Sequence, residues 1–538
     1  MDHTHSSHGP DRPLLAAIGL VLALYILYIL ATTVGWLRPS PAHPEDRADQ
    51  ARIAEGAAAE APEGKAGAAE ETHQPPPLVM VIPFVLLLGA IAVLPLIPAT
   101  EHWWEGNLNR FIVAAGLGAI TLLYYVVLHQ HPVQCHWIKE SLVRPTEGGL
   151  NLRLGGAVLA NAILHEYVPF IMLLFSLYTI SGGIRIQGDL RAHPLTNSAF
   201  IAVGGVLASF IGTTGAAMLL IRPLLETNKE RRQVKHTVIF FIFVVCNCGG
   251  CLLPIGDPPL FLGYLRGVGF LWTLNLWPEW LAVNSILTGM YYLYDHFWCY
   301  PHEKPIDIAR DETRVRGLKF SGLWPNALLL LGVILSVALL DPEKALPGTG
   351  WRPWPYLREA TQLGLVALSL ILGRPAVRRA NRFNYHAIVE VAALFFGIFL
   401  CMQPPLEILH VKGPDLGLSS PIHFFWSTGA LSSILDNAPT YVVFFETAKT
   451  LGGEDPVPLT TGAISASLLK AVSLGAVFMG AMTYIGNGPN FMVKAIAEKS
   501  GIRMPSFFGY MVYSCAILLP LFVLVTVVTW ILPPAMFH

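Results

Sequence analysis

Asp257 stands in Pro254-Ile-Gly-Asp-Pro-Pro259, inside an otherwise apolar segment. A bare carboxylate at the centre of a membrane helix costs roughly 2.5–3.5 kcal/mol, so a proton or a cation should accompany it there. The other reading is a surface turn that ends a shorter helix, and the apolar run Leu260 to Tyr264, which follows at once, speaks against it. Asp436-Asn437 poses the same question in Leu431-Ser-Ser-Ile-Leu-Asp-Asn-Ala-Pro-Thr440. Pro439 prevents a continuous helix through that stretch, Thr440 adds a hydroxyl, and the alternative is a tip that simply reaches water. Two further stretches have the same form. Ala208-Ser-Phe-Ile-Gly-Thr-Thr-Gly215 has a neutral tip with Thr213 and Thr214, and Tyr484-Ile-Gly-Asn-Gly-Pro489 repeats Gly256-Asp257 as Gly486-Asn487. Carboxylate, amide, hydroxyl and loop carbonyl oxygens together suit a hard cation. The candidate ion or substrate site is therefore Thr213, Thr214, Gly256, Asp257, Asp436, Asn437, Thr440, Gly486 and Asn487, with sodium expected at Thr213, Asp257, Asp436, Asn437 and Asn487.

Supporting roles fall to other charges in apolar surroundings. Glu166 and Glu390 precede the two tips at equal spacing and are expected to hold a hairpin by hydrogen bonding. Lys470 is either a counter-charge to Asp436, linked to proton movement, or a lysine reaching the outer interface. His165-Glu-Tyr-Val-Pro169 lacks the second histidine of a zinc protease motif. Cys246, Cys248 and Cys251 read as close helix packing rather than metal ligands, since no fourth ligand is evident. His3, His5 and His8 read as a solvated tail.

The elements that carry these residues are membrane spans. The chain has 538 residues, 53% of them hydrophobic and 13% charged, a balance that no soluble domain can bury. A net charge of −1 provides no basic stripe for nucleic acid. Seven scattered cysteines imply no disulfide framework. Spans are expected near 78–98, 110–128, 159–182, 236–254 and 278–299, then near 320–340, 359–373, 385–403, 462–485 and 508–532. Extra interrupted stretches at 195–226 and 421–448 read as re-entrant hairpins, because irregular backbone at membrane depth must be buried or line a wet cavity.

Glu166 precedes Gly212 by 46 residues, and Glu390 precedes Asp436 by 46. The repeat offset is thus 224, growing to 230 between Asp257 and Asn487. An odd number of spans per half requires the halves to be upside down relative to each other. Lys229, Arg231, Arg232 and Lys235 after the first hairpin place that loop in the cytoplasm, as do Lys304, Arg310, Arg314, Arg316 and Lys319. Trp103, Trp104, Trp277 and Trp280 are expected at interfaces. The expected fold is an all-α polytopic membrane protein with two inverted repeats of five transmembrane helices plus one re-entrant hairpin each. An extra N-terminal helix precedes them. The expected segments are an anchor or signal at 1–37, a disordered extracytoplasmic linker at 38–77, repeats at 78–300 and 320–538, and a cytoplasmic connector at 301–319.

Gly249-Gly-x3-Pro-Ile-Gly-Asp-Pro-Pro259 and Ser433-Ile-Leu-Asp-Asn-Ala-Pro-Thr440 resemble the ion transporter superfamily, nearest its branch of citrate transporters and NhaD-type sodium/proton antiporters, over residues 78 to 533. The resemblance implies a scaffold, a moving transport domain with both tips and both broken helices, elevator-like alternation and a homodimer. Carboxylate-carrying relatives typically have Ser-Asn-Thr tips; here the first tip lacks the Asn, and the second places Asp436 before Asn437, an acid that repels an anionic substrate unless masked.

The resulting expectation is a non-enzymatic sodium/proton antiporter of the bacterial inner membrane, N-terminus cytoplasmic, without cofactor apart from a transported sodium ion. Its partners are lipid and a small ion or carboxylate, not nucleic acid. The alternatives are sodium- or proton-coupled citrate or dicarboxylate uptake and metalloid efflux. An intramembrane aspartyl protease would want Gly-x-Gly-Asp, which this chain lacks.

Overall fold

Proline and glycine punctuate the apolar runs, and the helices start and stop at them. The computed structural model describes residues 75–532, apart from 138–140, 147–148, 314–315, 347–349 and 454. The segment 1–37, its histidines and all of the linker up to residue 74 lie outside the described residues. Helices α1 (Ile82–Val93), α2 (Asn107–Val127) and α3 (Leu152–Ser181) come first. α4 (Pro194–Ile211) and α5 (Thr213–Thr227) pack on each other, so the chain reverses at Gly212. Its φ of 79° with ψ of 149° is a region open essentially to glycine alone. α6 (Lys235–Val245) then breaks before α7 (Pro258–Leu265), and α8 (Trp277–Tyr294) follows.

The later part of the chain has the same sequence of shapes. It comprises α9 (Leu323–Leu339), α10 (Leu357–Leu372), α11 (His386–Cys401) and, across a 43° bend, α12 (Gln403–Lys412). A second packed hairpin, α13 (Pro421–Ile434) and α14 (Asn437–Lys449), is followed by α15 (Ala466–Met479), a break, α16 (Gly488–Lys499) and α17 (Phe507–Thr526). Pro194 and Pro421 start the leading arms of the hairpins, and Pro258 and Pro489 lie in the first turns after the breaks, where a missing N–H costs nothing.

Five described helices are long and apolar enough to cross a membrane, or six with the bent pair His386–Cys401 and Gln403–Leu416. The chain is thus an all-α multi-pass membrane protein. Pro194–Ile211 is one of the five, so the leading arm read as half of a re-entrant hairpin has the length of a full span. Three two-stranded ladders were not expected. One pairs Arg185–Asp189 with Arg316–Ser321, so the connector at 301–319, read as a loop, holds a helix (Pro305–Thr313) and most of a strand. Trp103 and Trp277 are exposed, Trp104 is buried, and Trp280 is half-buried and donates its indole N–H to the Gly249 carbonyl.

Packing is reciprocal. α2 lies on α11 and α3 on α10, while α7 lies on α14 and α16 on α5. Phe170 stacks on Phe395 with ring centroids 4.7 Å apart, and Phe111 meets Phe396 at 5.5 Å. Gly397 lies so close to the Ala114 backbone that any side chain would collide with it. Charges in this apolar setting are paired. Arg266, at the end of α7, reaches Glu166 on α3 at 2.9 Å and Glu446 on α14 at 3.1 Å. Glu166 sits in a π-helical stretch, Ala160–Tyr167, which widens α3 at that level. Removing one member of a buried ion network strands the others. Arg266→Ala is therefore expected to destabilise the solubilised protein by about 3 kcal/mol, read as a lower thermal unfolding midpoint. The uncharged triple change Arg266→Met, Glu166→Gln and Glu446→Gln should recover most of that loss, and an unchanged midpoint in Arg266→Ala would contradict it.

Candidate ion-binding site

The break between α6 and α7 leaves Asp257 in extended backbone, φ −141° and ψ 142°, as the residue that caps α7. Asn487 caps α16 with nearly the same angles, −152° and 137°. Asp257 is 1% exposed. Its Oδ1 accepts hydrogen bonds from Thr213 Oγ1 and from Asn487 Nδ2, both at 3.0 Å, and its Oδ2 accepts one from Asn437 Nδ2 at 2.7 Å. Thr213 opens α5 and Asn437 opens α14. Four helix N-termini therefore begin around one carboxylate, and the partial positive charge of each favours an anion there. Among the described residues, Asp257 makes no ion pair with Lys, Arg or His. Neutral dipoles alone hold it.

The breaks themselves are built from glycine and hydroxyl groups. Gly256 passes so close to Gly250, and Gly486 to Gly480, that a Cβ at either would collide with the opposing carbonyl. Gly256 O accepts the Thr213 N–H at 2.8 Å, tying the first tip to the first break. Ser209 Oγ donates to Gly249 O at 2.5 Å, and Ser433 Oγ donates to Met479 O at 3.1 Å. Gly486 N donates to Thr483 Oγ1, whose own hydroxyl donates to Ser433 O.

Two amides complete the cluster that the sequence did not single out. Asn247 Nδ2 donates to Asn490 Oδ1 at 2.8 Å, and Asn490 Nδ2 donates to the carbonyls of Gly480 and Thr483 at 2.9 Å. Both side chains are fully buried. The available signals were a lone amide among the cysteines after α6 for Asn247 and a second amide three residues after Asn487 for Asn490. One polar atom stands apart: Asn437 Oδ1 is buried with no hydrogen-bond partner, while its Nδ2 serves Asp257. A buried acceptor left unmade costs about 1–3 kcal/mol.

The structure brings Thr213, Gly256, Asp257, Asn437, Gly486 and Asn487 together, and it places the other candidates differently. Asp436 is half-buried and caps α14, its Oδ1 accepting the Ala438 N–H at 3.0 Å. It adjoins the cluster through Asn437 without a hydrogen bond to Asp257. Thr440 is buried, but its hydroxyl donates to Asp436 O within its own helix, so it is taken up locally. Thr214 is half-buried on the first turn of α5. Glu390 pairs with Arg110 of α2 at 2.9 Å, and so braces α11 rather than a hairpin. Glu166 does reach a hairpin, though the second one and through Arg266. Lys470 is paired with Glu279 at the start of α8, at 3.0 Å, and is not the counter-charge of Asp436. Cys246, Cys248 and Cys251 are buried free thiols beside the break, as close packing requires.

A search of curated proteins finds no match. The family model described as "Putative citrate transport" matches residues 73–530, a stretch that includes every helix of the cluster, and the chain belongs to that transporter family.

Proposed function

We propose that this transporter exchanges a monovalent cation, sodium first, for protons at Asp257, by alternation of a body that carries both hairpins and both broken helices. The observation that carries this reading is the buried carboxylate held by three neutral donors from three other elements. An internal anion occupies the focus of four helix N-termini, the place where a carboxylate cargo would otherwise be drawn. A half-turn of the Asn437 amide would exchange Nδ2 for the unpartnered Oδ1 beside Asp257 Oδ2. Two oxygens would then face each other with room for one positive charge between them. A proton on the carboxyl satisfies that pair, and so does a sodium ion with the Thr213 hydroxyl as a further ligand. The two occupants exclude each other, which couples their movements.

Two inverted repeats, 78–300 and 320–538, fit the same reading. Ser209 to Gly249 and Ser433 to Met479 are bonds between positions displaced by 224 and 230 residues. Gly205 against Gly249 and Gly429 against Met479 are contacts with the same two displacements. The reciprocal pairings of α7 with α14 and α16 with α5 follow from such a relation. In this arrangement α1–α3 and α9–α12 form the support, and the Glu166–Arg266–Glu446 link spans support and moving body, so it must open when the body moves.

One observation favours a second reading, in which a cation at Asp257 drives a carboxylate. A cavity of about 1380 Å³ is lined by ten Lys and Arg side chains, among them Arg185, Arg222, Lys319, Arg382 and Arg503, against two acids, Asp189 and Glu226. Such a mouth concentrates anions, in keeping with the description of the family.

Proteoliposomes separate the readings. Under exchange, a sodium gradient moves protons without citrate, and Asp257→Asn lowers that flux to the level of protein-free liposomes. Proton flux that appears only with citrate, together with labelled citrate uptake, selects the second reading; full activity in Asp257→Asn overturns both. Thr213→Val removes one ligand while leaving the carboxylate, and the sodium concentration at half-maximal rate should rise about tenfold with little change in maximal rate. Lowering the pH should raise that concentration in the native protein, because protons compete for the same oxygen pair.

A further inference from the structure

Asp189 ends the strand Arg185–Asp189, Glu230 lies in the return between α5 and α6, and Asp311 lies on the helix Pro305–Thr313. Three separate elements thus bring carboxylate oxygens within 4.8 Å of one another. Asp311 is 6% exposed; Oδ2 accepts the Ala192 N–H at 2.8 Å, and Oδ1 is buried with no hydrogen-bond partner. Asp311 and Glu230 also line a cavity of about 10 Å³ with Glu303, Asp307 and Arg231, close to the least space that admits one water-sized sphere.

Charges of both signs surround the three acids. Glu226 adds to the negative field at Asp189 and Lys229 opposes it, while His193 and Arg231 face Asp311. Arg231 is already engaged by Asp295, at 2.8 and 2.5 Å, and by Glu303 at 3.5 Å. Three points no more than 4.8 Å apart share a centre at most about 2.8 Å from each, and calcium–oxygen distances are about 2.3–2.6 Å. Small rotations of the side chains close that gap.

We propose that Asp189, Glu230 and Asp311 bind a hard divalent cation, calcium or magnesium, which fastens the return of the first hairpin to the connector between the two halves of the chain. The cation would restrain the hairpin whose tip carries Thr213, and so adjust transport from a site separate from Asp257.

The test uses the full-length protein in detergent, stripped with chelator. Millimolar calcium or magnesium should raise its thermal unfolding midpoint by at least about 3 °C, where sodium or choline at equal ionic strength should not. Asp311→Asn and Asp189→Asn should each abolish the shift, and Asp415→Asn, an exposed acid elsewhere, should keep it. Manganese binding by electron paramagnetic resonance gives a readout independent of unfolding: one tightly held ion in the native protein, none in Asp311→Asn. A native protein with no divalent shift and no bound manganese, or equal shifts in all variants, would overturn the proposal.

Discussion

Three hydrogen bonds to one buried carboxylate set the geometry of the centre of this protein. Thr213, Asn437 and Asn487 belong to the two hairpin tips and to the second break, and each donates to Asp257. Without them an ionised aspartate at 1% exposure would be untenable. With them, four chain segments that meet nowhere in sequence are pinned at one point. The donors are neutral, and that choice matters. A lysine or arginine partner would compensate the charge permanently, whereas amides and a hydroxyl leave it without a counter-charge, as the proposed exchange requires.

Other charges within the apolar body are treated in the opposite way. Arg110 with Glu390, Arg266 with Glu166 and Glu446, and Lys470 with Glu279 are closed pairs or triads of fixed opposite charge. Desolvation makes such pairs expensive to break, so they act as braces. Asp257 differs from these pairs in having no basic partner among the described residues.

Much of the architecture was legible because membrane depth constrains backbone so strongly. Apolar runs, proline positions and the Gly-Asp and Gly-Asn breaks located the helices within a few residues. Asp257, Thr213, Asn437 and Asn487 could be grouped because a polar residue inside a broken apolar run demands a partner. Partner identity was another matter. Lys470 and Asp436 looked complementary in sequence, yet α15 turns Lys470 toward Glu279 on α8, a neighbour fixed by helix packing 191 residues away. Thr440 looked like a ligand, but a hydroxyl in a first helical turn readily bonds a carbonyl of its own helix. Asn247 and Asn490 were missed because their pairing arises only when α6 and α16 are adjacent. The strand Arg316–Ser321 was missed because its partner lies on the far side of a hairpin and four further helices.

Charge also bears on why movement should be tied to loading. A body that crosses the bilayer with Asp257 bare carries an uncompensated negative charge through low dielectric, and movement toward the negative side of the membrane adds about 2.3 kcal/mol per charge per 100 mV to the desolvation. With a sodium ion or a proton on the Asp257–Asn437 oxygen pair, that charge is gone. The empty carrier is therefore the costly one to move, and either occupant removes the cost. On the proposed exchange reading that asymmetry ties each crossing to a passenger, and the ion gradients decide which passenger travels in which direction.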